Sequence, residues 1–94
     1  MKMTISKEAA KWYKDELELA ADDCIRFYVR YGGDGLVPGF SLGIKTAEPE
    51  RTLAKVTNNE ICFYVESTDA WYFDDRDLHI QMKDCSDGPV FHYE

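Results

Sequence analysis

Ninety-four residues suffice for one domain, and for a core that needs neither disulfides nor a metal to hold it. A hydrophobic fraction of 45% and an aromatic fraction of 14% exclude a disordered chain. The net charge of -7 repels a phosphate backbone or an anionic membrane, and leaves a basic protein, a cation or a neutral ligand as partner.

In chain order, Lys2 to Ile5 reads as a short strand, with no apolar leader ahead of it. Ser6 then reads as the N-cap of a helix, with Glu8 at the positive end of its dipole. Ala9, Trp12, Tyr13, Leu17 and Ala20 recur at helical spacing, which predicts a helix reaching Ala20 with one buried stripe. Cys24 to Tyr31 alternates as a strand. Ile25, Phe27, Val29 and Tyr31 fall on one face, Arg26, Tyr28 and Arg30 on the other. The strand is predicted to break at Gly32-Gly33-Asp34-Gly35 and again at Pro38-Gly39. Phe40, Leu42 and Ile44 alternate as the next strand, and a polar turn follows from Ala47 to Arg51.

Thr52 to Val56 reads as a further strand, with Asn58-Asn59 as a hairpin turn before Ile61, Phe63 and Val65. Ser67-Thr68-Asp69 offers a cap for a short helical turn through Trp71 and Tyr72. Asp74 to Asp77 is an acidic turn. Leu78, Ile80 and Met82 form a strand, and Pro89 to Glu94 a last one with Val90 inward. One major helix, one short helix and six or seven short strands make this an α+β chain with a mostly antiparallel sheet.

Few residues carry chemistry. The loop Gly32, Gly33, Asp34, Gly35 demands unusual backbone angles. No helix follows it and Asp34 would repel phosphate, so a dinucleotide fingerprint is not met. It reads as a wide turn or as a functional loop. Cys24, Cys62 and Cys85 are an odd set without C-x-x-C, which argues against a disulfide framework and for reduced thiols in the cytoplasm. Cys24 and Cys62 sit in strands as small hydrophobes, while Cys85 lies in a polar stretch and is expected to be exposed. His79 and His92 are not spaced as a helical zinc pair. Asp69, Asp74, Asp75 and Asp77 lack the ligand order of a calcium loop.

Taken in order, these pieces resemble the HesB-like family of A-type iron–sulfur carriers, and most of all its short, bacterial YneR-like branch. The resemblance rests on Ile5-Ser6 opening a helix, Gly32-Gly33-Asp34-Gly35-Leu36, Gly39-Phe40-Ser41-Leu42, Trp71-Tyr72-Phe73-Asp74, Leu78 to Ile80 and Gly88-Pro89-Val90-Phe91. It implies a small β pseudobarrel of mostly antiparallel strands capped by the N-terminal helix, one domain over residues 1–94. The family's loop cysteine is Asp34 here, and its Cys-Gly-Cys would fall beyond Phe91 in a chain that ends at Glu94. A carboxylate is a harder ligand than a thiolate for cluster iron.

The expectation is therefore a non-enzymatic accessory or interaction module, related to iron–sulfur cluster biosynthesis but without the standard cysteine ligands. No catalytic residue and no cofactor are expected, and the partner is a protein or a second copy of the chain. One alternative is iron or a cluster held across a dimer by Cys85 with Asp34 or a histidine. Another is a small-molecule domain walled by Tyr28, Tyr31, Trp71 and Tyr72.

Overall fold

Ser6 ends one element and starts the next. In the computed structural model, which describes residues 1–83 and 88–94, strand β1 (Met3–Ile5) turns into helix α1 (Lys7–Glu16) at this residue. Its backbone is extended, and its hydroxyl accepts from the Ala9 N–H at 3.1 Å, which satisfies a free donor of the first turn. Ala9, Ala10 and Tyr13 are the buried face of α1. The helix stops at Glu16, short of the predicted Ala20. Glu18 adopts a left-handed φ of 51°. The Leu19 N–H then donates to Lys14 O at 2.9 Å and the Glu18 N–H to Asp15 O at 3.4 Å. This is a Schellman closure made without glycine, so no residue type marked it in the sequence.

The remaining elements are β2 (Cys24–Asp34), β3 (Pro38–Thr46), β4 (Thr52–Asn58), β5 (Ile61–Glu66), a 3-10 turn (Ser67–Asp69), α2 (Ala70–Phe73), β6 (Leu78–Met82) and β7 (Pro89–Tyr93). They build two sheets. One has the order β3-β2-β5-β4, with its two hairpins antiparallel and β2 parallel to β5 at the centre. The other has the order β1-β6-β7, with β1 parallel to β6 and β6 antiparallel to β7. The fold is α+β with two mixed sheets, and among the described residues the pairings do not close into a barrel. No helix among those residues is long and apolar enough to cross a membrane.

Three local expectations shift. The β4–β5 turn lies at Asn59 and Glu60, with φ of 52° and 67°, one residue later than predicted. Asn58 stays in the ladder opposite Ile61, and its side chain donates to Ile5 O at 3.0 Å, tying this hairpin to β1. Asp69 makes no side-chain cap for α2. It accepts instead from Arg26 Nη2 at 3.0 Å, a largely buried ion pair that links the 3-10 turn to β2. In β7 the register sets Phe91 opposite Ile80, so Phe91 and Tyr93 pack on the core while Val90 takes the other face. A shift of one residue reverses every side chain of a strand, and only the pairing partner decides it.

The core lies between the sheets and α1. Tyr13, Phe27 and Phe63 meet with ring centroids 5.6–6.0 Å apart, and Phe91 closes on Phe27 at 5.7 Å. Ile25, Ile61, Val65, Leu78 and Ile80 fill the rest and are fully buried. At about 1.5–3 kcal/mol for each large apolar side chain removed from water, this cluster is the main favourable contribution to folding.

Several buried or partly buried acids respond to alkali. Burial holds the Tyr13 and Tyr93 phenols well above their ordinary value of 10.0, with a hydrogen bond to Tyr72 adding to the effect at Tyr93. Burial, then the neighbouring Cys24 thiol, pushes Cys62 from 9.0 up to about 11. In each case the folded state favours the protonated form, so above the unfolded values the native chain binds more protons than the unfolded one. The stability these groups contribute is complete below pH 9.0 and falls as the pH rises toward 11 and beyond. Urea midpoints are expected to decline across that window. Tyr13→Phe should make the decline shallower, and an unchanged slope would remove Tyr13 from the account.

Candidate functional site

The glycine-rich segment does not interrupt β2 as the sequence suggested. Gly32 and Gly33 take φ of 119° and 78°, and the β2–β3 ladder shifts register between Tyr31 and Asp34. The strand bulges there and continues, so that Asp34 pairs with Pro38 through the backbone. The Gly35 N–H then donates to Phe40 O at 2.7 Å, and the Leu36 N–H donates to the Tyr72 hydroxyl at 2.7 Å. A Cβ on Gly35 would overlap the Tyr72 hydroxyl and come within 2.7 Å of Phe40 O. The loop is thus docked on α2, and glycine is required by close approach.

This docking holds a row of aromatic rings at the surface. Tyr72 is fully buried and meets Trp71 edge-on at 5.9 Å. Trp71 meets Phe40 at 5.3 Å, and Phe40 meets Tyr31 at 5.5 Å, both edge-on. Trp71 is 54% exposed and Tyr31 88% exposed, which is unusual for rings of this size. The row therefore begins in the core and ends in solvent. Asp74 and Asp75, both exposed and both left-handed, follow α2 directly.

The four aromatic walls expected from the sequence do not share one cleft. Tyr72 is interior. Tyr28 lies elsewhere on β2, against Gly43, with Lys45 Nζ 4.9 Å above its ring. Tyr31 and Trp71 are brought together, and the residue joining them is Phe40. Its alternation with Leu42 and Ile44 marked it as a strand residue and carried no sign of this role. Beside the loop, Gly35, Leu36, Leu42, Val90, Phe91 and Tyr93 line an open groove of about 630 Å³ between the β3 and β7 edges.

The other candidates are scattered. Cys85 lies outside the described residues. Cys24 and Cys62, read separately in the sequence, are direct neighbours across the parallel β2–β5 ladder. His79 and His92 face each other across β6 and β7, with His79 Nε2 3.3 Å from the Glu94 carboxylate. Asp77 accepts from the Lys2 N–H at 2.8 Å, while Asp69 holds Arg26. Among the described residues, no three histidine, cysteine or acidic side chains converge as a metal site.

No protein-family model matches the chain. It is 42% identical to a protein of Bacillus subtilis named pyruvate dehydrogenase inhibitor, over all of both chains. It is 34% identical to an uncharacterised protein of Staphylococcus haemolyticus, over 93% of this chain and 92% of the other. An uncharacterised protein of Staphylococcus aureus is 32% identical over 93% of each. These findings overturn the resemblance to the HesB-like family and its YneR-like branch. With it goes the function in iron–sulfur cluster biosynthesis, including the degenerate or dimeric metal site. The motifs that carried the resemblance have local causes: Gly32 and Gly33 build a bulge, Gly35 admits Tyr72, and Trp71 to Asp74 form a single helical turn closed by a left-handed residue.

Gly35→Ala is expected to destabilise the protein by about 1–3 kcal/mol through overpacking against Tyr72 and Phe40. Much of that penalty should vanish in a Tyr72→Phe background, because the hydroxyl it meets is gone. Equal penalties in both backgrounds, measured by urea denaturation, would show that Tyr72 does not set the loop.

Proposed function

This chain belongs to the family of the Bacillus subtilis protein named pyruvate dehydrogenase inhibitor, and from that premise we propose that it is a non-catalytic regulator that binds a pyruvate dehydrogenase and slows it. The observation that carries the reading to a surface is the aromatic row Tyr31, Phe40, Trp71, exposed at one end and anchored in the core at the other. Tyrosine and tryptophan are the residues enriched at binding hot spots, because they offer large apolar area and lose little side-chain freedom on contact. Here the freedom is already reduced by the ring contacts to Phe40 and Tyr72.

The occupant this surface fits is a protein patch with an apolar cleft for Trp71 and a basic border. Asp74 closes the helical turn that carries Trp71 and Asp75 follows it, and the chain as a whole carries a net charge of -7. Opposite charge on the partner would orient the encounter, and salt would slow it.

The test is the rate of pyruvate oxidation by purified Bacillus subtilis pyruvate dehydrogenase complex, followed as the protein is titrated in. The wild type should lower the rate at stoichiometric concentration. Trp71→Ala and Tyr31→Ala, each confirmed folded by circular dichroism, should need at least tenfold more protein for the same effect, a loss of about 1.4 kcal/mol or more. An unaffected rate with wild type would reject the function. Full inhibition by both variants would reject the surface and leave the function standing.

A further inference from the structure

The parallel pairing of β2 with β5 sets Cys24 directly opposite Cys62. Residues paired in this way project to the same side of the sheet, and neighbouring strands lie about 4.8 Å apart. That spacing falls inside the window of about 4.4–6.8 Å that disulfides span between Cα atoms. Both thiols are free and both are partly accessible. They interact in the folded chain, since the Cys24 thiol contributes to raising that of Cys62. Cys24 Sγ is also 3.9 Å from Asp22 O, and Cys24 is one of the residues that line a cleft of about 410 Å³, with Thr46 and Glu48 among the others. We propose that Cys24 and Cys62 are a thiol-oxidation site, closed reversibly to a disulfide by exchange with a small non-anionic disulfide that enters this cleft. The inference rests on the sheet register and is independent of the proposed inhibitory function.

The exchange has two steps. The Cys24 thiolate attacks one sulfur of the small disulfide, forming a mixed disulfide and breaking the reagent's S–S bond. The released thiolate takes up the proton that Cys24 lost. Cys62 then gives up its proton and attacks Cys24 Sγ, which forms the Cys24–Cys62 bond and releases a second small thiol. Two protein thiols are oxidised and one small disulfide is reduced to two thiols. The order follows from the surroundings. Cys24 is on the cleft wall, while burial raises Cys62 and makes it the slower attacker on an outside reagent. Asp22, Asp23 and Glu48 on the same wall repel an anionic reagent.

The test uses the full chain carrying Cys85→Ser, so that Cys24 and Cys62 are the only thiols. It is incubated with cystamine under native conditions, quenched with acid and weighed intact. The expected product has lost two hydrogens, carries no adduct, remains a single chain, gives a linked Cys24–Cys62 peptide on digestion and is restored by dithiothreitol. Adding Cys62→Ser should stop the reaction at a stable mixed disulfide of Cys24 with cysteamine. Glutathione disulfide, which is anionic, should react at least several-fold more slowly than cystamine. Stable adducts on both cysteines without a link, a link between two chains, or closure only in urea would each overturn the proposal. So would no reaction within a day, or an anionic reagent that reacts as fast as cystamine.

Discussion

The contact between the Tyr72 hydroxyl and the backbone at Gly35 and Leu36 is the joint on which the surface of this protein depends. Tyr72 is buried on α2, touches Tyr93 of β7 at 6.1 Å between ring centroids and takes the Leu36 N–H from the β2–β3 loop. One side chain thus connects the three-stranded sheet, the short helix and the long hairpin of the four-stranded sheet. A buried phenol needs partners for its polar end, and a loop needs partners for its N–H groups. This contact meets both requirements at once. Gly35 follows as a steric consequence, because any side chain there would occupy the space of the hydroxyl.

The exposed aromatic row is the outer face of the same joint. Tyr31 extends past the part of β2 that packs on the core, while Phe27 and Ile25, two and three alternations earlier on that face, are fully buried. Left alone, such a ring would move freely and bind poorly. Here it is edge-on against Phe40, which is itself edge-on against Trp71, so the three rings form one shaped apolar surface. This pre-set row is the surface to which the proposed inhibitory role is assigned. It also accounts for a short aromatic helix and a glycine-rich loop that otherwise invite a metal-binding interpretation.

The cysteines show how far one-dimensional reasoning reaches. An odd count and wide spacing correctly describe Cys24, Cys62 and Cys85 along the chain, and say nothing about their distance in space. Cys24 and Cys62 become neighbours because β5 returns to lie parallel to β2, after a hairpin on each side. Parallel partners are far apart in sequence by necessity, since the chain must travel back to the start of the sheet before it can pair in the same direction.

What the amino-acid sequence determined by itself was local. The Ser6 cap, the alternation of Ile25 with Phe27 and of Ile61 with Phe63, the helical turn at Trp71 and the strand at Leu78 to Met82 were all legible. Each depends on residues within a few positions of one another. Features without a marker residue were misplaced even locally. Glu18 closes α1 in a conformation usually given to glycine, and Asn58, expected in the turn, stays in the strand ladder while the turn moves to Asn59 and Glu60. The tertiary structure alone decided the inward face of β7, the union of Tyr31, Phe40 and Trp71, and the pairing of Cys24 with Cys62. These are set by which distant strand supplies the hydrogen bonds and in what register, and that choice is made by the whole core as it packs.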